Sequence, residues 1–158
     1  MAFSKPLALF LVALAAAAMS AAGQQQGCSR KVTVQNLCSR DLNLGIEPLA
    51  NSPHLFPNGY ALRQGTHTEY PVCTWTGRIS TQGAPVVEFH LGQDGGAWYQ
   101  VSTAQADGGV RVSVTPHGRP LQGHCPTAGC SRGHCFEHSV PGGNCHAVDE
   151  IKIVYCST

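Results

Sequence analysis

The sequence predicts an all-β domain: a disulfide-stapled antiparallel β-sandwich with no long helix in the mature chain. Short runs of β-branched and aromatic residues alternate apolar with polar at a period of two, and Gly, Pro, Asn and Asp separate the runs. No window beyond the N-terminal segment sustains a helical period of apolar residues. All eight cysteines lie after residue 27. An even cysteine count in a small secreted domain indicates disulfides, here four.

The alternating runs predict about eight short strands. They lie at 31–35, 42–46, 70–73, 75–80, 86–91, 98–102, 110–115 and 151–155. The stretch between the second and third runs is typical of loops and turns, because it contains Pro48, Pro53, Pro57 and the Asn58-Gly59 pair. Short strands separated by turns in this way favour an antiparallel sandwich.

The segment from Pro116 to His146 has a different character. It contains four cysteines and no apolar run, so we expect that it cannot form a core from its own side chains. Disulfides, and not apolar packing, are expected to hold this segment in place.

Residues 1–23 have the pattern of a secretory signal peptide. A lysine near the start precedes the apolar run Leu7–Met19, and small residues follow it. A membrane anchor is the less favoured alternative, because a spanning helix needs about 20 apolar residues. We expect cleavage after Ala22 or Gly23, which leaves residues 24–158 as one secreted, extracellular domain.

The charge balance argues against a strongly charged partner. The whole chain has 10 Lys and Arg against 9 Asp and Glu, and Lys5 lies in the signal segment, so the mature chain is neutral when histidine is uncharged. Without a basic stripe we expect no nucleic-acid binding. No second apolar stretch is long enough to span a bilayer, so we expect no membrane span. We also expect a monomer without a cofactor.

Histidines accompany the cysteines in the C-terminal part, and a Cys/His cluster can bind zinc. The histidines are His117, His124, His134, His138 and His146. The chain has no Cys-x-x-Cys pair, and export exposes thiols to oxidation. We therefore favour a solvated polar loop over a metal site or a histidine pH sensor, and expect no metal.

A series of segments follows an order that is found in one known family. The segments are Val32–Cys38, Trp75–Arg78, Val87–Leu91, Trp98–Ser102, Val112–Pro116, Cys125–Cys130, Pro141–Cys145 and Ile153–Cys156. Together they resemble the thaumatin-like (osmotin, pathogenesis-related) family, in its small form that lacks the second disulfide-rich domain. The resemblance covers most of the mature chain and implies a flattened β-sandwich.

The resemblance also implies two disulfides. Cys38 with Cys156 would join the first strand to the last, and Cys135 with Cys145 would close a glycine-rich loop. Four cysteines then remain to pair among themselves, and four allow three connectivities. Their order stays open: they are Cys28, Cys73, Cys125 and Cys130.

The family's ligand cleft is lined by arginine, glutamate and aspartate, and it is thought to receive glucans or other fungal wall components. Arg78 and Glu88 match two of its positions. Where the family tends to have Asp-Tyr-x-Asp, this chain has Ala-Trp-Tyr-Gln at 97–100, so the resemblance implies a cleft that has lost much of its acidic character. The candidate ligand-binding residues are Arg78, Glu88, Trp98, Tyr99 and Gln100.

Several of these residues also have structural interpretations. A cross-strand pair between Glu88 and Arg78 is an ordinary feature of sheets, and we favour it for Glu88. The large apolar area of Trp75 predicts a place in the core. Trp98 and Tyr99 are adjacent in a strand and must point to opposite faces, so we expect one of them to be exposed.

These observations favour a secreted defence-type protein that binds glucan or another microbial cell-wall carbohydrate. The alternative is a protease or amylase inhibitor that presents a rigid loop, at Pro48–Tyr60 or Gly123–Gly143. A weak endo-β-glucanase is least favoured, because glycoside hydrolysis ordinarily uses two carboxylates and only Glu88 has a matching position. We assign no catalytic residue.

Overall fold

The alternation of apolar and polar residues decides which face of each strand lies inside, as strand geometry requires. In Trp75–Thr81 every second residue is buried and the residues between them are partly exposed. Val86–Leu91 and Glu150–Tyr155 show the same pattern. The sheets therefore form from the runs that the sequence marks as strands.

The computed structural model describes residues 28–103, 109–131, 134–136 and 139–158. The signal peptide predicted at 1–23 lies outside these residues. The described part contains strands and no helix, so nothing in it has the length and hydropathy that a membrane-crossing helix needs.

Thirteen strands occur in the described residues. They are β1 (Arg30–Asn36), β2 (Leu42–Pro48), β3 (Tyr60–Leu62), β4 (His67–Val72), β5 (Trp75–Thr81), β6 (Val86–Leu91), β7 (Ala97–Ser102), β8 (Val112–His117), β9 (Gln122–Gly123), β10 (Ala128–Ser131), β11 (His134–Phe136), β12 (Ser139–His146) and β13 (Glu150–Tyr155).

The strands form two sheets of a disulfide-stapled β-sandwich, which confirms the predicted fold class. One sheet has the order β11-β10-β8-β13-β1-β4, and the other has the order β3-β2-β5-β6-β7-β12-β9. The described pairs are antiparallel except for β1 and β13, which run parallel. A parallel arrangement is possible at this pair because β1 and β13 are the first and last of the described strands and no hairpin joins them.

The core lies between the two sheets. Its largest fully buried side chains are Trp75, Tyr99, Tyr155, Phe89, Leu42, Leu44, Ile79, Leu91, Ile151, Ile153, Val32 and Val34. The core position predicted for Trp75 is confirmed, and its indole Nε1 donates a hydrogen bond to the Pro53 carbonyl at 2.8 Å. That bond satisfies the one polar group of the buried ring.

The segment Pro116–His146 is held by two disulfides, as expected, and it also adds a few residues to the shared core. Strands β9 to β12 lie in this segment, and Ala128, Cys130 and Cys145 are fully buried. Backbone pairing with β7 and β8 holds these strands, so they need few apolar side chains. Gly129 allows the close approach, because a Cβ there would lie 2.6 Å from the Phe136 ring.

The disulfides agree with the implied pairing in part. Cys38 bonds Cys156 as the resemblance implies, and Cys28 bonds Cys73. The remaining bridges are Cys125–Cys145 and Cys130–Cys135.

The implied Cys135–Cys145 bridge is therefore wrong, and Cys125 and Cys130 do not pair with each other. The strand register gives the reason. Cys130 faces Cys135 across the β10–β11 pair, whereas Cys145 lies on β12 in the other sheet and pairs with Gly123, close to Cys125.

Removal of the Cys38–Cys156 bridge tests how far the fold depends on it. The bridge closes a separation of 118 residues, and the chain-entropy model makes such a link worth about 5 kcal/mol. The matched control removes Cys130–Cys135, whose separation is 5 residues and which the same model makes worth about 2 kcal/mol. Urea unfolding should show a larger loss in the free energy of unfolding for the Cys38→Ala/Cys156→Ala variant than for the Cys130→Ala/Cys135→Ala variant. Equal losses in the two variants would contradict this account.

An ion pair on the outer face of the six-stranded sheet joins β1 to β4. The Lys31 ammonium lies 2.8 Å from the Glu69 carboxylate and 3.8 Å from that of Glu150. The hydrogen bond from Lys31 lowers the pKa of Glu69 below its ordinary value, and the bond to Glu69 raises the pKa of Lys31.

The Glu69→Gln variant tests this pair through pH. A carboxylate whose pKa is lowered on folding stabilises the fold above its unfolded pKa, and this contribution is lost as pH falls through the folded pKa. We expect the variant to melt slightly below the wild type at pH 7 and at the same temperature once Glu69 is protonated, well below pH 4.5. A difference in melting temperature that persists in acid would contradict a charge-based role.

Candidate functional site

A row of polar side chains crosses four neighbouring strands on the outer face of the seven-stranded sheet. Glu47 of β2 pairs in register with Arg78 of β5, Arg78 with Glu88 of β6, and Glu88 with Gln100 of β7. The residues that flank each of them in sequence point inward, so strand alternation places all four side chains on the same face. We call these four residues the charged row.

Arg78 lies between two carboxylates. Its Nε donates to Glu88 Oε2 at 2.5 Å, and its Nη1 donates to Glu47 Oε2 at 3.1 Å. The Glu88 side chain is 18% exposed, whereas those of Arg78 and Glu47 are 42% and 60% exposed. The hydrogen bonds that Arg78 donates to Glu88 and, to a smaller extent, to Glu47 raise the pKa of Arg78, and its guanidinium is charged in any case, as in proteins generally.

The charged row lines an open groove with a volume of about 450 Å³. The other lining residues come from the same strands and from the turn before β3: Gly45, Ile46, Asn58, Ser80, Val86 and Ser102. Gly45 keeps the groove open, because a Cβ at this position would lie 2.9 Å from Ser80 Oγ. Asn58 is fixed by its Oδ1, which accepts a hydrogen bond from the Ile46 amide at 2.7 Å.

The structure brings together three of the five candidate residues. Arg78, Glu88 and Gln100 line the groove, and the cross-strand pairing of Glu88 with Arg78 is present. Trp98 lies outside the groove lining, in the next row along the strands, and is partly buried.

Tyr99 is corrected as a ligand-binding candidate. Its side chain is fully buried, and its hydroxyl donates to the Pro126 carbonyl. Adjacent strand residues point to opposite faces, and the apolar ring of Tyr99 takes the inner one. Of the Trp98–Tyr99 pair, Trp98 is therefore the member that reaches the outer face.

Sequence reasoning missed several groove residues, above all Glu47, along with Gly45 and Ser80. A usable signal was present. The apolar spacing of Leu42, Leu44 and Ile46 buries these three residues and therefore turns the residues between them outward. Which strand lies beside β2 could not be read from this spacing, because register depends on the partner strand.

The histidines of the C-terminal part do not form a metal site within the described residues. No group of three or more His, Cys, Asp or Glu side chains comes close enough to hold a metal ion there. His138, one of the predicted histidines, lies outside the described residues. The cysteines are all in disulfides.

The proline-rich loop between β2 and β3 is tied down at several points. Ser52 Oγ accepts from the Thr76 amide at 2.8 Å, and Trp75 donates to Pro53. Phe56 is buried against the rings of Tyr60 and Tyr70. The tip of this loop is exposed while hydrogen bonds and the buried Phe56 anchor it, which is the arrangement that the predicted inhibitor loop would require. The second inhibitor loop predicted, Gly123–Gly143, is described only in part.

Comparison with known proteins supports the fold. No family model matches the chain, and no curated protein matches it. A solved structure that matches is that of the protein elicitor MoHrip2 from Magnaporthe oryzae, with a TM-score of 0.56 and 14% sequence identity over 81% of this chain and 99% of that chain. At this identity the likeness shows the fold alone.

Two conservative substitutions test the geometry of the charged row. We expect Glu88→Gln to lower the melting temperature more than Glu47→Gln, because the Glu88 carboxylate is more shielded from water and makes the shorter contact with Arg78. Both variants should keep the far-ultraviolet spectrum of the wild type. A greater loss of melting temperature for Glu47→Gln would show that the contact with Glu47 of β2 holds Arg78 more strongly than the contact with Glu88 does.

Proposed function

We propose that this chain, with its sandwich fold and groove, is a secreted, thaumatin-like defence-type protein that binds glucan or another microbial cell-wall carbohydrate. The observation that carries the proposal is the charged row along an open groove. Sugar hydroxyls both donate and accept hydrogen bonds, and the row offers two carboxylates, a guanidinium and an amide on rigid strands. Such convergent polar groups in a concave site are typical of small-ligand recognition.

The charges of the groove narrow the class of carbohydrate. Two carboxylates face one guanidinium, which leaves the row with a net negative charge when all three groups are ionised. A uronate or sulfated sugar would meet unfavourable electrostatics there. We therefore propose that the ligand is a neutral polysaccharide.

Binding is favoured over hydrolysis by the way the carboxylates are used. Glycoside hydrolases place two carboxyl groups on either side of the scissile bond. Here Glu47 and Glu88 contact the same guanidinium, so the pair is organised around Arg78, as in a cross-strand ion-pair network. We assign no catalytic residue to the groove.

Export and defence are supported by general features of the chain. Four disulfides are compatible with an oxidising extracellular compartment. One solved structure that shares the fold is that of a protein elicitor, which is compatible with a role in defence.

Inhibition of a protease or amylase is the second candidate, and the loop between β2 and β3 favours it. Its exposed tip is held by hydrogen bonds and by the buried Phe56. A rigid exposed loop loses little entropy when it binds an enzyme cleft.

Retention on insoluble polysaccharides tests the proposal. The disulfide-bonded protein is mixed with particles of β-1,3-glucan, cellulose, chitin and xylan, and the bound fraction is measured. We expect retention on β-1,3-glucan, and a loss of about tenfold in affinity for Arg78→Ala and Glu88→Gln, as removal of a central contact typically causes. Gly45→Val should also weaken binding, because its side chain would project into the groove.

Lys152→Ala is the matched control, since it removes a positive charge from the outer face of the other sheet. A wild-type protein that none of the polysaccharides retains would overturn the proposal, and enzyme inhibition by the same sample would then favour the loop. Equal retention of all variants would place the binding site elsewhere. Release of reducing sugar would show hydrolysis.

A further inference from the structure

We propose that Trp98 and His90 form an aromatic subsite beside the groove, so that the site takes an oligosaccharide chain lying along the strands and not a single sugar. The inference rests on the proposed function and adds to it the length of the ligand, a defined role for Trp98, and His90 as a further residue of the site. It depends on the register of β5, β6 and β7 and on the burial of Trp98.

The strand register places this subsite next to the charged row. His90 pairs with Trp98 across β6 and β7, and Thr76 pairs with His90 across β5 and β6. Each lies two residues along its strand from a member of the charged row, and therefore on the same face of the sheet. On the other side of the row, Ser80, Val86 and Ser102 continue the face.

The two rings are held in a defined arrangement. Their centroids are 6.1 Å apart and their planes differ by 18°. His90 Nδ1 and Thr76 Oγ1 are 2.7 Å apart, within hydrogen-bond distance, which fixes the rotation of the imidazole. A ligand that contacts these rings would not need to order them first, and preorganisation of this kind favours binding.

The burial of Trp98 sets it apart from its neighbours in β7. Ala97 and Tyr99 are fully buried, whereas Trp98 is only partly buried on the outer face. The other tryptophan of the chain, Trp75, is completely buried. A tryptophan left partly in water gains less from folding than a buried one, but it offers an apolar surface to a ligand.

The chemistry of a pyranose chain matches this succession of rows. Each ring has an apolar face of C–H groups that packs on an aromatic ring, and a rim of hydroxyls that the charged row can bind. Three rows, two residues apart along a strand, span about 13 Å. That length exceeds one pyranose ring and accommodates a short oligosaccharide.

A length series separates this proposal from a purely structural His–Trp pair. β-1,3-linked gluco-oligosaccharides of one to six units are titrated into the disulfide-bonded wild type, Trp98→Ala, Trp98→Phe and the control Phe136→Ala, whose exposed ring lies in the other sheet. We expect wild-type affinity to rise with length and then level off. Trp98→Ala should lose about tenfold in affinity for the longer chains, which is the upper end of what one specific aromatic contact contributes, and little for the shortest ones.

Trp98→Phe should retain much of the length dependence, because a phenyl ring still offers an apolar face, and Phe136→Ala should match the wild type. Tryptophan emission provides a second readout. A bound chain should shift the emission of the wild type but not that of Trp98→Phe, whose remaining Trp75 is buried.

The two proposals can fail separately. If the wild type binds the oligosaccharides and Trp98→Ala binds each length as tightly as the wild type does, the aromatic subsite is overturned. The proposal that the groove binds carbohydrate is then unaffected. If the wild type binds none of these sugars and none of the insoluble polysaccharides, the proposed function falls, and the subsite with it.

Discussion

The pairing of the first strand with the last is the constraint on which the rest of this sandwich depends. β1 and β13 lie side by side within the six-stranded sheet, in parallel register, and Cys38–Cys156 closes the chain just beyond their ends. No hairpin can make such a pair, so its formation requires closure of nearly the whole domain, which is entropically costly. Asn36, at the end of β1, extends the constraint to the other sheet. Its buried side-chain amide donates to the carbonyls of Arg40 and Leu62, at 2.9 Å each.

The candidate site lies in the seven-stranded sheet, away from the β1–β13 pair, but the shared core transmits the constraint to its strands. β2, β5, β6 and β7 are consecutive neighbours in the seven-stranded sheet, and their inward residues are locked into the core shared with the other sheet. Their outward residues therefore inherit fixed positions from the backbone. Arg78 comes to lie between Glu47 and Glu88 only because β5 lies between β2 and β6. Because these side chains extend from paired strands, the proposed binding of a sugar would order them at small cost.

The sequence was sufficient to predict the fold class, most of the longer strands, the core position of Trp75 and the presence of disulfides. These features depend on local alternation and on cysteine count. It was not sufficient for features that depend on which strands become neighbours. Three such features follow from strand register: the parallel β1–β13 pair, the Cys130–Cys135 and Cys125–Cys145 bridges, and the place of Glu47 beside Arg78. The strands of Pro116–His146 were not predicted, because backbone pairing, and not an apolar pattern, defines them.

Strand alternation also keeps the fold and the groove separate. In β5 to β7 one set of alternate residues builds the core, with Ile79, Val87 and Tyr99, while the other set builds the outer face. A substitution on the outer face can change what the groove binds without creating a cavity inside, whereas an inward substitution affects packing first. The likeness to MoHrip2, at 14% identity, extends to the fold alone, and the character of the groove comes from this chain's own outward residues. The fold specifies where the outward side chains lie, and under the proposed function Arg78, Glu88 and Trp98 are the side chains that select the ligand.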